Sequence, residues 1–329
     1  EFIEPYSLDG SVYAVYHSSR AKGKLPFTCS TQDNEVVNNI DSQVLRSSNG
    51  VLKTFRLALS CTAEYSNYFG ATSAAQSGLV LAAFNATMTR VNGVYEVDLA
   101  IHMNITANST NVIYYNPNSD PYSPPAIGAA VPGGTWNAEL QSNLTLTLGT
   151  ATYDIGHLFG DTGGGGNAGC IGCVCSTDGS KGSGFTSPGD GVPAGDNFDI
   201  DYVAHEMGHQ FGGNHTFSHS TENNAVNIEP GSGSTIMGYA GVTGATDVQA
   251  HSDPYFAYRS ILQIQTNLLS KTCSVNTNIM HGTPVVNAGS DWTIPKSTPF
   301  KLEGSATDSG GNGSLTYCWE QNNDATTAG

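Results

Sequence analysis

The stretch His205-Glu206-Met207-Gly208-His209-Gln210-Phe211-Gly212-Gly213-Asn214-His215 decides how this chain is read. Residues four apart on an α-helix lie one above the other, so His205 and His209 can present ring nitrogens to a single ion. Glu206, beside His205 around the helix, can reach a water on that ion without being a ligand. A third ligand six positions past His209 cannot stay on the same face of a continuing helix, so the chain has to stop and turn back. Gly212 permits the turn, because glycine tolerates the left-handed conformation that commonly ends helices. His215 then completes a three-histidine set and leaves the fourth tetrahedral position open for water or a scissile carbonyl. The bland alternative is a polar helix end with surface histidines. Three of the nine histidines fall in this one window, and the full spacing is hard to meet by accident.

The pattern resembles the signature of the metzincins, His-Glu-x-x-His-x-x-Gly-x-x-His followed by a methionine turn. A matching turn stands at Ser234-Thr235-Ile236-Met237-Gly238-Tyr239. The resemblance puts Met237 beneath the histidines, although Met is also an ordinary filler of apolar cores. It also makes Gly238-Tyr239-Ala240 a wall of the pocket for the substrate side chain just after the cut bond. Within this clan the chain is similar to the reprolysin (adamalysin-like) branch, in its secreted bacterial form. The segments behind this are Tyr153 to Phe159, the glycine run Gly163 to Gly166, and Gly169-Cys170-Ile171-Gly172-Cys173-Val174-Cys175. The resemblance covers about residues 51–275. Venom-type reprolysins usually carry aspartate directly after the third histidine, whereas Thr216 stands here.

The resemblance implies a zinc endopeptidase. His205, His209 and His215 would hold Zn2+, and Glu206 would take a proton from the attacking water and hand it to the leaving amine. The edge strand around Gly169 to Cys175 would pair with an extended protein or peptide substrate. The competing class is a secreted polymer- or surface-binding protein on an inactive zincin scaffold. Glu206 argues against it, since a scaffold needs no base.

Composition narrows the surroundings. With 12 Lys+Arg against 28 Asp+Glu the net charge is -16, which argues against nucleic acid and anionic membranes as partners. No apolar run reaches the ~18 residues of a membrane helix. A secreted, extracellular monomer is expected, with any leader lying outside this sequence. The 39 glycines, often in runs, point to long surface loops.

Seven cysteines, Cys29, Cys61, Cys170, Cys173, Cys175, Cys273 and Cys318, are spread along the chain as structural disulfides would be in an oxidising compartment. Cys170-x-x-Cys173 lacks the second pair of a zinc ribbon and the context of a redox motif. Resemblance to reprolysins pairs Cys175 with Cys273, and Cys170 and Cys173 are candidates for a local bridge. An odd count leaves one thiol over. Many metzincin pro-segments supply a cysteine thiolate to the open zinc position, and Cys29 is the candidate for such a switch. A Cys29–Cys61 disulfide is the alternative.

The fold expected is α/β, a zincin with a mostly parallel twisted sheet, a zinc helix and a methionine turn, followed by a partial β-sandwich. Residues 1–50 read as a pro-segment tail or extension, 51–275 as the peptidase domain, 276–283 as a linker, and 284–329 as a truncated PKD or immunoglobulin-like module. That module rests on Asn287 to Trp292, Leu302 to Asp308 and a core strand at Tyr317-Cys318-Trp319; a disordered tail is the alternative. Periodicity predicts a strand at 54–60, a helix at 73–88, a strand at 94–101, a loop at 116–134, a helix at 136–148 and a strand at 154–159. The zinc helix is expected to start near 197–201 with Asp199 as N-cap, and a last helix at Asp253-Pro254. Asp190, Asp196, Asp199 and Asp201 are a candidate Ca2+ cluster without regular loop spacing. His219 and His251 are candidates for substrate contact, and His157 reads as a strand residue near the sheet edge.

Overall fold

The computed structural model describes residues 2–5, 13–16, 27–33, 50–131, 133–220, 222, 225–280, 282, 284–308 and 315–325. Most of the expected pro-segment 1–50 therefore lies outside the described residues. Its described pieces include β1 (Phe2–Pro5) and β2 (Tyr13–Tyr16), which pair antiparallel, and β3 (Thr28–Cys29).

The scaffold begins with β4 (Val51–Cys61), whose side chains alternate between two cores. Phe55, Leu57, Leu59 and Cys61 enter one core, and Ala58 enters the other. After α1 (Ala63–Tyr68), capped by the Thr62 hydroxyl, comes the long α2 (Ser77–Leu99). The strand expected from Val94 is a correction: residues 94–99 are the end of α2, and the strand there, β5, is Ile101–Ile105. Val91, Val94, Tyr95 and Leu99 are all buried at helical spacing, and burying that stripe outweighs the β-branched character of the segment. Ala100, left-handed at φ 50, ends the helix.

The loop expected over 116–134 contains one short helix, α3 (Pro125–Gly128). Next come α4 (Trp136–Thr147), β6 (Ile155–Phe159), β7 (Gly165–Asn167) and β8 (Gly184–Ser187). A π-helical stretch, Asn197–Ala204, runs directly into α5 (His205–Phe211). The chain continues to α6 (Tyr258–Leu268) and β9 (Val275–Asn278).

Among the described residues seven strands form one sheet, in the order β3-β7-β8-β6-β4-β5, with β9 also on β4. The pairs β3–β7, β6–β8, β4–β6 and β4–β5 are parallel, while β7–β8 and β4–β9 are antiparallel, so the sheet is mainly parallel as expected. One face packs on α2 and α5 through Phe55, Phe84, Tyr95 and Phe211. The other is sealed by α4 through the fully buried Trp136 with Leu140 and Leu144.

Two helix starts differ from expectation. Asp199 is buried inside the π-helical stretch, and no side chain caps that stretch at Asp196. α6 begins five residues after Asp253, because the Asp253 N–H donates to Ser234 O and the Tyr255 carbonyl accepts from Ile236 N. The Tyr255 carbonyl, which a helix starting at Pro254 would turn toward its own next turn, is committed to the neighbouring turn instead.

In the C-terminal part β10 (Val285–Asn287) pairs antiparallel with β11 (Ser305–Thr307). Tyr317-Cys318-Trp319 is not a strand, contrary to expectation. The segment is instead tied to the peptidase portion, where Glu320 accepts from Tyr258 N at 2.8 Å and Asp324 from Asn227 N at 3.0 Å.

Candidate active site

All seven residues of α5 are buried. The helix stops at Gly212, with φ 120° and ψ 5°, whose N–H reaches the carbonyls of Gly208 and His209. A Cβ at Gly212 would lie 2.9 Å from Cβ of Asn267, so both conformation and space demand glycine here. The reversal brings His215 back against the helix. His209 Nε2 lies 3.2 Å from His205 Nε2 and 3.1 Å from His215 Nε2.

Each ring is held at its other nitrogen. His205 Nδ1 donates to Ile236 O and His209 Nδ1 to Gly213 O, both at 2.7 Å. His215 Nδ1 faces two carboxylates, Asp33 at 3.1 Å and Glu222 at 3.2 Å. With every Nδ1 directed toward an acceptor, the three Nε2 atoms converge on one point. Met237 is fully buried, its sulfur against Gly208 of the helix that carries His205 and His209.

The fourth side of the point is taken by the N-terminal segment. Cys29 Sγ lies 3.5 Å from His209 Nε2, close enough to the Glu206 carboxylate for its charge to act on the thiol. The Thr31 hydroxyl donates to Glu206 Oε2 at 3.1 Å while accepting from Ala168 N at 2.7 Å. Asp33 accepts the His215 N–H as well as facing its ring. Phe27 stacks on Tyr202 at 4.0 Å, in a pocket shared with His205, Tyr239, Ala240 and Val242. On the far side Gly166 has to lack a side chain, since a Cβ there would overlap Glu206 Oε1 and the Phe27 ring.

These residues fit a metal. Cys29, His205, His209 and His215 each offer one ligand atom, all within 4.8 Å of one another. Burial and the nearby His215 charge hold His205 down to about 3 and keep His209 well below the usual histidine range, so both are neutral donors. Burial works against a proton on His215, but Asp33, Cys29 and Glu222 outweigh it and raise that group. The same negative surroundings favour a cation bound through the ring. Burial, reinforced by Glu206, pushes the Cys29 thiol up to about 11; burial also carries Glu206 up to about 8. Three imidazoles and a sulfur in tetrahedral number are the donor set of zinc.

Residues 51–275 match the family described as Metallo-peptidase family M12B Reprolysin-like. The chain belongs to this family. An M12B reprolysin-like metallopeptidase is a zinc-dependent protease, which accords with the metal-binding geometry just described. A search of curated proteins returned no match.

Other sequence expectations fare unevenly. Cys175 is bonded to Cys273 and Cys170 to Cys173, and Cys29 and Cys61 are separate thiols, so no disulfide joins them. Gly169 to Cys175 is not a strand; the edge of the sheet on this side is β3, which pairs in parallel with β7. Residues 169–175 are turns whose N–H groups at Gly172 and Val174 are spent on the carbonyls of His209 and Gln210. The Ca2+ expectation is unsupported, because Asp190, Asp196, Asp199 and Asp201 form no three-ligand group among the described residues. Asp196 pairs with Arg90 at 2.8 Å, and Asp201 accepts from Ser252 N. His219 packs against Phe217 and Tyr239, beside His215, whereas His251 belongs neither to the Cys29–His205–His209–His215 cluster nor to the Asp33–His215–Glu222 group. His157 is interior to the sheet rather than at its edge, since β6 lies between β4 and β8. Sequence reasoning missed Thr31 and Asp33, whose partners Glu206 and His215 are far along the chain, and Glu222 and Glu229, whose partners are near in sequence but are met only through loop geometry.

Proposed function

We propose that this chain is a secreted zinc endopeptidase in a latent form, with His205, His209 and His215 as zinc ligands and Glu206 as general base. The observation that carries the reading is the place of Cys29 Sγ, 3.5 Å from His209 Nε2 and within 4.8 Å of the ligand atoms of all three histidines. The same segment reaches the base through Thr31, so the ligand cluster and Glu206 are covered together.

Zinc, when bound, acidifies a water and polarises the scissile carbonyl. The protein does the rest. Glu206 accepts the proton of the attacking water and returns it to the leaving amine. The carbonyls of Ile236 and Gly213 keep His205 and His209 in the tautomer that presents Nε2. Met237 supports the helix from below as the turn methionine. An extended substrate replaces β3 along the Gly165–Asn167 edge, where main-chain pairing tolerates many sequences. The apolar pocket holding Phe27 then receives a substrate side chain.

Latency follows from the same contacts. While segment 27–33 is in place, it holds the fourth ligand position through Cys29, engages the base through Thr31 and fills the side-chain pocket through Phe27. Secretion is supported by the two disulfides and the strongly acidic composition.

The test combines zinc analysis with hydrolysis of an unfolded protein. Zinc is expected in the parent and in Glu206→Gln. Cleavage is expected after removal of residues preceding the peptidase domain, is abolished by a chelator, and is absent in Glu206→Gln. Zinc binding with no cleavage by any processed form would defeat the proposal.

A further inference from the structure

We infer that Glu229 is a positioning residue for the metal site, setting the first and third histidines relative to each other. The inference rests on the zinc reading above and concerns a residue outside the ligand motif.

Glu229 is 8% exposed, yet its carboxylate is surrounded by donors from two separate segments. From the segment after His215, the Thr216 hydroxyl donates to Oε2 in a short hydrogen bond. From the turn before Met237, the Thr235 hydroxyl donates to Oε2 at 2.6 Å. Main-chain N–H groups of Ser234 and Thr235 donate to Oε1 at 2.9 and 3.0 Å. The Glu229 N–H closes the arrangement by donating to Thr216 O at 2.9 Å.

These two segments are the ones that orient ligands. Thr216 directly follows His215, and its N–H donates to Met237 O at 3.1 Å. The 234–237 turn carries Ile236, whose carbonyl fixes His205 Nδ1, and Met237, which lies against Gly208. A single buried carboxylate therefore ties the mounting of His205 to that of His215. A carboxylate suits the task, because five N–H and O–H donors, the Ser234 hydroxyl at 3.4 Å included, converge on it and no neutral side chain offers as many acceptor sites.

The test measures zinc affinity by competition with a chromophoric chelator for the whole chain and for Thr216→Val, Glu229→Gln and Glu229→Ala, with thermal melting of each metal-free protein. Loss of an outer partner of a metal site typically weakens binding ~10–100-fold. Glu229→Ala is expected in that range, with Glu229→Gln and Thr216→Val in between. In the processed enzyme kcat is expected to fall with KM little changed. Should Glu229→Ala not fold, the other two variants decide. Zinc affinities in Thr216→Val and Glu229→Gln within twofold of the parent, with lowered melting of the metal-free proteins alone, would overturn the inference and leave Glu229 a purely structural residue. Failure of the parent itself to bind zinc would instead sink the zinc reading.

Discussion

Replacing His157 by Gln should change how stability depends on pH, and the size of the change follows from the position of the ring. His157 is fully buried, with Nδ1 2.8 Å from Gln210 Oε1 and Nε2 2.8 Å from Thr186 Oγ1. The amide oxygen can only accept, so Nδ1 carries the proton and Nε2 accepts from the threonine hydroxyl. Burial lowers the group from the ordinary 6.5 to about 4, against a smaller opposing effect of Gln210. The unfolded chain therefore takes up a proton near pH 6.5, whereas the folded chain resists until about 4. This contribution to stability is complete above pH 6.5 and is lost as the pH falls toward 4. At 1.36 kcal/mol for each tenfold change in proton affinity, the loss is about 3 kcal/mol. Urea denaturation of parent and His157→Gln in parallel from pH 7.5 downward measures it. The buried ligand histidines burden both proteins alike, so the difference isolates His157. The parent is expected to be the more stable at neutral pH, and its advantage should shrink by about 3 kcal/mol near pH 4. An advantage that stays constant with pH would refute the reasoning, since it would mean that the fold accepts a proton at His157 as readily as water does.

Three further outcomes are expected. Gly212→Ala forces a Cβ toward Asn267 at a φ of 120°, and should cost more than ~1–3 kcal/mol while displacing His215, read as a lower melting temperature together with weakened zinc retention. Cys29→Ala should give measurable cleavage of an unfolded protein by the otherwise unprocessed chain; equal inactivity of parent and variant, with both fully active after processing, would show that the rest of segment 27–33 suffices for latency. Removing the Cys175–Cys273 bridge, which spans a separation of 98 residues, should lower stability by up to about 4–5 kcal/mol, and removing Cys170–Cys173, which spans three, by clearly less, both read from denaturation midpoints.

The ligand cluster was legible because every spacing in it has a local cause: one helical turn between His205 and His209, and a glycine-dependent reversal before His215. β4 was legible for a similar reason, its apolar residues alternating with period two along one strand. Residues 94–99 misled because Val94, Tyr95, Val97 and Leu99 satisfy both an alternating and a helical pattern, and only the stripe continuing from Val80 and Phe84 decides between them. β7 is three residues containing two glycines, and its strand character comes from pairing with β3 and β8 rather than from its side chains. Asp33, Glu222 and Glu229 carry no local signal at all. A carboxylate that will face a ligand or its supporting turn reads like any solvated one until the chain is folded around it.

The three histidines differ in what their anchors are made of. His205 and His209 lean on main-chain carbonyls, at Ile236 and Gly213, which no substitution at those positions can delete. His215 leans on the side chains of Asp33 and Glu222, and one of these belongs to the segment that also carries Cys29. Two ligands are thus insulated from mutational drift, and the third is the point of adjustment. Any lineage that alters residue 33 or 222, or any event that withdraws the N-terminal segment, retunes how firmly the last imidazole is held while leaving the other two as they were.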